Sequence, residues 1–144
     1  YDVYKLVNHG YKETMGRIGK FPFPMSVEEA LSYIKNKLEI PVLRYAGNRD
    51  RLVEKIAILG GAGAEFAGVA KSMGADLYLT GDLKYHEAQD AAMNGLVIAD
   101  GGHFYTERVI IPYLAKRLRD EFKTRGWNVG VLEDVRAKDI FHCV

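Results

Sequence analysis

Leu96-Val97-Ile98-Ala99-Asp100-Gly101-Gly102-His103-Phe104-Tyr105-Thr106-Glu107 decides the fold class. A short apolar run stops at a carboxylate and two glycines, and a helical pattern begins at once. The same grammar stands twice upstream. The apolar run of residues 75–79 stops at Thr80-Gly81-Asp82 before a helix through Tyr85, Ala88 and Ala92. The run of residues 53–59 stops at Gly60-Gly61-Ala62-Gly63 before a helix with Phe66, Val69, Ala70 and Met73 on one face. Three successive strand-loop-helix units with short loops predict an α/β fold, a mixed and mostly parallel sheet covered by helices.

Further from that core the signals vary in strength. Ser26 and Glu29 have the spacing of a capping box, Met25 is placed to staple onto Ala30, and Val27, Ala30, Leu31, Ile34 and Leu38 form one apolar stripe, so a helix starts at Ser26. Residues 1–7 alternate as a half-buried strand does. Residues 8–24 hold Gly10, Gly16, Gly19, Pro22 and Pro24 and read as a loop, and residues 42–46 as a short strand. After Glu107 a long helix carries Val109, Ile110, Tyr113, Leu114, Leu118 and Phe122; Pro112 either lies in the first turn of a helix starting near Ile111 or kinks one begun at Phe104. Residues 127–132 read as a final strand. Lys116, Arg117, Arg119, Lys123 and Arg125, interleaved with Asp120 and Glu121, read as a solvated face with a Glu121–Arg125 pair.

Composition narrows the class. The chain has 144 residues, 48% of them hydrophobic and 27% charged, as one soluble globular domain would. A net charge of +1 gives no bulk attraction to nucleic acid or a membrane surface. The single cysteine, Cys143, excludes an internal disulfide or a thiolate metal cage, and a reducing cytoplasm is the expected compartment. No apolar stretch approaches the ~20 residues of a membrane span, and no signal peptide is legible. The chain opens Tyr1-Asp2-Val3 without a methionine, so a processed product or a piece of a longer protein is expected.

Ligands of open α/β sheets bind beyond the carboxyl ends of the strands, where loops converge. Those ends hold Asp82, Asp100, His103 and the glycines Gly60, Gly61, Gly63, Gly81, Gly101 and Gly102. His103 and Glu107, four apart at a strand-to-helix junction, share one face of the opening turn. An imidazole beside a carboxylate suits zinc, iron or manganese. The alternative is that Glu107 merely favours a helix N-terminus and His103 is a satisfied loop histidine. Asp82 is either the cap of the next helix or a base, and His86, paired with Asp90 at i, i+4, is a candidate partner, proton carrier or ligand. Both are catalytic candidates. Gly61 and Gly63 match the start of a dinucleotide fingerprint, but Phe66 stands where its third glycine belongs, so close packing or an anion at the turn is expected there instead.

Four motifs occur in order: Gly16-Arg17-Ile18-Gly19-Lys20, Leu59-Gly60-Gly61-Ala62-Gly63, Thr80-Gly81-Asp82-Leu83-Lys84-Tyr85-His86 and Gly101-Gly102-His103-Phe104-Tyr105-Thr106-Glu107. Together they resemble the C-terminal half of the Nif-three-like proteins, often labelled GTP cyclohydrolase 1 type 2. Residues 1–6 are similar to the segment that resumes the main domain of longer members after an inserted domain. The resemblance implies a ring-shaped homohexamer and a site for two divalent metal ions, with His103 and Glu107 as two of the ligands. The others, a histidine pair and an aspartate, would come from the N-terminal half, and this chain has no His-His pair. The implied activity is hydrolytic: the metal pair acidifies water and polarises a nucleotide-like substrate, and for GTP hydroxide would attack C8 of guanine and open its imidazole ring. Asp139-Ile140-Phe141 departs from the Asp-Pro-Phe that members tend to show. The reading from another class is a non-enzymatic nucleotide-binding or regulatory module that works through the loop at Gly60-Gly61-Ala62-Gly63.

Overall fold

The structure, a computed structural model, describes residues 4–5 and 15–142. Its elements run β1 (Tyr4–Lys5), β2 (Arg17–Ser26), α1 (Val27–Leu38), β3 (Arg44–Ala46), β4 (Leu52–Ala62), a 3-10 turn (Ala64–Phe66), α2 (Ala67–Ser72), β5 (Leu77–Gly81), α3 (Tyr85–Met93), β6 (Val97–Asp100), α4 (His103–Glu107) and α5 (Ile110–Thr124). They build one six-stranded mixed sheet in the order β1-β2-β4-β5-β6-β3. Its centre, β4-β5-β6, is parallel, with Ile56 opposite Leu77 and Leu77 opposite Val97, and the flanking pairs are antiparallel.

Every residue of β5 and β6 is buried, as strands covered on both faces must be. Alternation divides them between two apolar layers. Leu77, Leu79, Val97 and Ala99 pack with Val27, Ala30, Leu31 and Ile34 of α1. Tyr78 and Ile98 pack on the other face with Ala70 of α2 and Ala91 of α3. The helix at Ser26 is as its spacing predicts: Ser26 Oγ accepts from the Glu29 amide at 3.2 Å, and the Glu29 carboxylate accepts from the Ser26 amide at 2.8 Å. That pairing holds the Glu29 carboxyl below the ordinary glutamate range. No helix is long and apolar enough to cross a membrane, among the described residues.

Two expectations need correction. Residues 17–24, read as loop, belong to β2. The prolines are accommodated because the β2–β4 register shifts between Lys20 and Met25, so Pro22 and Pro24 fall where no regular partner requires their missing N–H. Residues 127–132 form no strand. The Trp127 amide donates to the Phe122 carbonyl at 2.9 Å, and Arg119 caps the Val131 carbonyl at 3.0 Å, so side chains and the end of α5 satisfy this backbone. On α3 the inward residues are Ala88 and Ala91, whereas Tyr85 is 77% exposed. The apolar stripe of α5 does not enter the core either: Val109, Ile110, Tyr113 and Leu114 are exposed, and Ala115 is buried. Pro112 lies in the first turn of α5, where its absent N–H breaks no helical bond; the chain turns at Arg108 and Val109 between α4 and α5. The polar face of α5 forms the expected Arg125–Glu121 pair at 2.6 Å, with a second between Lys116 and Asp120 at 2.6 Å. The strand read at residues 1–7 is described at β1 alone; Cys143 and the rest of that run lie outside the described residues.

Candidate metal centre

The parallel register places Thr80 opposite Asp100, so the segments that follow β5 and β6 emerge side by side. Asp82 leaves β5 and His103 opens α4, and their side chains meet: Asp82 Oδ2 lies 2.6 Å from His103 Nδ1. On the other edge of the ring, Nε2 lies 3.2 Å from Glu107 Oε2. All three side chains are about half exposed and line an open cleft of about 1430 Å³. The Asp82 carboxylate on Nδ1, reinforced by the charge of Glu107, holds the imidazole above its ordinary histidine value.

Absent side chains bring these groups together. A Cβ at Gly60 would stand 2.7 Å from the Thr106 carbonyl oxygen, and one at Gly81 would stand 2.9 Å from the His103 amide nitrogen. Only bare backbone at both strand ends lets α4 lie this close to the sheet. Gly61 combines a φ of +69°, which side-chain-bearing residues rarely adopt, with a Cβ position 2.5 Å from Glu107 Oε1. The β4–β5 register shifts between Ile58 and Ala62, so β4 departs from regular pairing where α4 presses on it.

Two buried threonines fix this arrangement. Thr106 Oγ1 accepts from the Gly61 amide at 3.0 Å and donates to the Gly102 carbonyl at 2.8 Å. Thr80 Oγ1 accepts from the Gly63 amide and donates to the Gly61 carbonyl, both at 2.9 Å. The Tyr78 hydroxyl donates to the Gly63 carbonyl at 2.6 Å, and burial pushes this phenol up to about 12. The glycine turn is therefore anchored by side chains beneath it, and the amides of Gly61 and Gly63 already have partners.

The sequence-predicted residues separate into two groups. Asp82, His103 and Glu107 converge. Asp82 does not cap α3, whose first turn is closed by the Glu87 carboxylate on the Lys84 amide at 3.0 Å. His86 stands apart on α3, exposed, with its ring edge-on to Tyr85, and does not line the cleft. Among the described residues no hydrogen bond joins it to Asp90. Asp100 is structural: 7% exposed, it accepts from Arg44 at 2.5 Å and from the Gly102 amide at 3.0 Å. Sequence reasoning missed Arg44, Arg108 and the tail residues Glu133 to Val135 and Ala137 to His142 that wall the cleft, because tertiary packing alone brings them there. Arg108 pairs with Glu39 and lies over the rings of Phe104 and Tyr105 at 5.8 and 5.3 Å. Among the described residues no three His, Cys, Asp or Glu side chains form a complete metal cage.

A family model described as Duf34/NIF3 (NGG1p interacting factor 3) matches residues 3–138. A Bacillus subtilis protein named GTP cyclohydrolase 1 type 2 homolog is 34% identical over 131 residues, 91% of this chain and 35% of that protein. The protein of the same name from Clostridium perfringens is 35% identical over 130 residues, covering 90% of this chain and 48% of its own length. Among solved structures, a Staphylococcus aureus hypothetical protein superposes with a TM-score of 0.86 at 30% identity over 91% of this chain and 43% of that one. A Bacillus cereus protein related to NIF3 superposes with a TM-score of 0.86 at 35% identity, over 92% of this chain and 37% of that one. The chain thus spans between a third and a half of the length of these relatives. The glycine-floored strand ends, the fold around them and the match over nearly the whole chain agree: the chain belongs to the Duf34/NIF3 family.

Proposed function

We propose that this chain supplies one side of a divalent-metal site in a hydrolase-like protein that acts on a nucleotide-like substrate, with His103 and Glu107 as the ligands it contributes. The observation that carries the reading is the Nε2 edge of His103 lying 3.2 Å from a Glu107 oxygen at an open cleft. The donor set fits zinc, iron or manganese: one imidazole nitrogen and one carboxylate, half exposed, on backbone to which Thr106 is hydrogen-bonded. Two ligands are fewer than the about three that catalytic zinc sites take from protein. The remainder belong, on this reading, to the part of the family's length that this chain does not span. A divalent ion, when bound, acidifies water and polarises a substrate oxygen. The chain's own residues have simpler tasks. Glu107 contributes charge, Gly61 leaves room for its carboxylate, and Arg44 and Arg108, paired with Asp100 and Glu39, wall the cleft.

Elemental analysis of a longer protein carrying this chain tests the reading. His103→Ala and Glu107→Ala are each expected to strip metal; unchanged metal content in both would overturn the assignment. The nucleotide-binding module is the competing reading, and it needs amides at the Gly60-Gly61-Ala62-Gly63 turn, of which Gly61 and Gly63 are already engaged. Calorimetric titration with GTP, with and without a chelator, separates the two: binding that survives chelation favours the module.

A further inference from the structure

We propose that Asp82 is the positioning residue of this site, holding the Nδ1–H of His103 so that the lone pair on Nε2 is presented toward Glu107. The inference rests on the metal reading above for its purpose, but its geometry stands on its own. The two nitrogens of an imidazole ring point away from each other, so a carboxylate on Nδ1 cannot share an ion with Nε2. Asp82 lies on the Nδ1 edge and Glu107 on the Nε2 edge. In the neutral ring one nitrogen carries the proton. The 2.6 Å contact to Asp82 is a strong charge-assisted hydrogen bond, whereas the 3.2 Å contact to Glu107 is long for one, which assigns the proton to Nδ1. A carboxylate in that place fixes the tautomer and orientation of a ligating histidine and raises its basicity.

The backbone supports the same reading. Asp82 has a φ of +54°, one of two described residues other than glycine in the left-handed region. Its neighbour Gly81 sits against the Gly102 and His103 backbone with no room for a Cβ. A residue held off the ordinary conformations, with its carboxylate aimed at one ring nitrogen across a gap of 21 positions, is a constraint that α3 does not need, since Glu87 already closes its first turn.

The test uses Asp82→Gly, which removes the carboxylate while keeping backbone that tolerates a positive φ, and Asp82→Asn, which keeps an acceptor oxygen without the charge. Imidazole ¹⁵N shifts of the metal-free chain, recorded at a pH where the ring is neutral, read the tautomer directly. The wild type and Asp82→Asn are expected to hold the proton on Nδ1, and Asp82→Gly to release it to Nε2. Titration with Zn²⁺ is expected to show affinity weakened about 10–100-fold in Asp82→Gly and less in Asp82→Asn, beside loss of binding in His103→Ala. A wild-type ring protonated on Nε2 would overturn the assignment. So would Asp82→Asn losing zinc as completely as His103→Ala, which would make Asp82 a ligand itself. Zinc affinity unchanged in His103→Ala would instead contradict the metal reading, and the tautomers would still decide whether Asp82 sets the ring.

Discussion

Gly60→Ala asks whether the bare end of β4 is what seats α4. A Cβ there would lie 2.7 Å from the Thr106 carbonyl oxygen and 3.3 Å from its carbon, against an ordinary contact that begins at 3.4 Å. The obstacle is backbone on both sides, so no rotamer change relieves it, and the helix must retreat by about 0.7 Å at that point. Overpacking of this kind costs about 1–3 kcal/mol. The retreat also weakens the bond from the Gly61 amide to Thr106 Oγ1, a further contribution of about 1 kcal/mol. The lower entropy of the unfolded alanine chain offsets about 0.4–1 kcal/mol. The net destabilisation is about 1–3 kcal/mol, or a fall in Tm of about 3–10 °C for a chain of this size. Gly19→Ala is the matched control: Gly19 also lies in a strand, and a Cβ there meets nothing within 4 Å, so no loss of stability is expected, and the entropy term adds up to about 1 kcal/mol. Urea unfolding followed by circular dichroism gives both values. Equal stability of the two variants would refute the seating of α4 on β4.

Two further outcomes follow from half-buried Asp76 and buried Thr106. Burial works against ionisation of Asp76, but the amides of Lys55 and Glu54 and the Arg51 guanidinium, at 2.9 to 3.0 Å, outweigh it and hold the carboxyl below the usual aspartate range. A carboxyl depressed in the folded state stabilises the fold above the unfolded pKa and loses that contribution as pH falls through the folded value. Asp76→Asn is therefore expected to cost about 1–3 kcal/mol at neutral pH and to flatten the acid limb of the stability profile; an unchanged limb below pH 4 would contradict this. Thr106→Val keeps the volume but leaves the Gly61 amide without its acceptor, at a cost of about 1–3 kcal/mol, measured by the same urea unfolding; unchanged stability would contradict the anchoring of the glycine turn by Thr106.

The centre of the fold was legible because β5 and β6 are buried on both faces and so read as unbroken apolar runs, and because Ser26 and Glu29 announce α1 in their own side chains. β2 was illegible for a physical reason. Gly19, Pro22 and Pro24 are turn formers taken one by one, and only the register shift opposite β4, a tertiary feature, makes the two prolines compatible with a strand. Residues 127–132 show the converse: strand-forming residues found no neighbouring strand, and Arg119 and the end of α5 took up their backbone groups. The adjacency of His103 and Glu107 was readable from i, i+4 spacing within one helical turn. The contact between Asp82 and His103 was not, because the two lie 21 residues apart and are brought together by the register of two parallel strands. The signal was nonetheless in the sequence, since both residues directly follow adjacent strands of the repeating units. His86 has the same i, i+4 spacing to Asp90 and does not enter the cleft, so spacing alone does not distinguish a site from a solvated turn.

Paramagnetic broadening by Mn²⁺ tests the central claim most directly, because it locates a weak ion without requiring a complete site. With substoichiometric Mn²⁺ added to the ¹⁵N-labelled chain, broadening is expected to centre on the amides of Gly61, Gly102, His103 and Glu107, and to vanish in His103→Ala. Broadening centred instead on the exposed carboxylates Asp120 and Glu121 of α5, or persisting unchanged in His103→Ala, would contradict it.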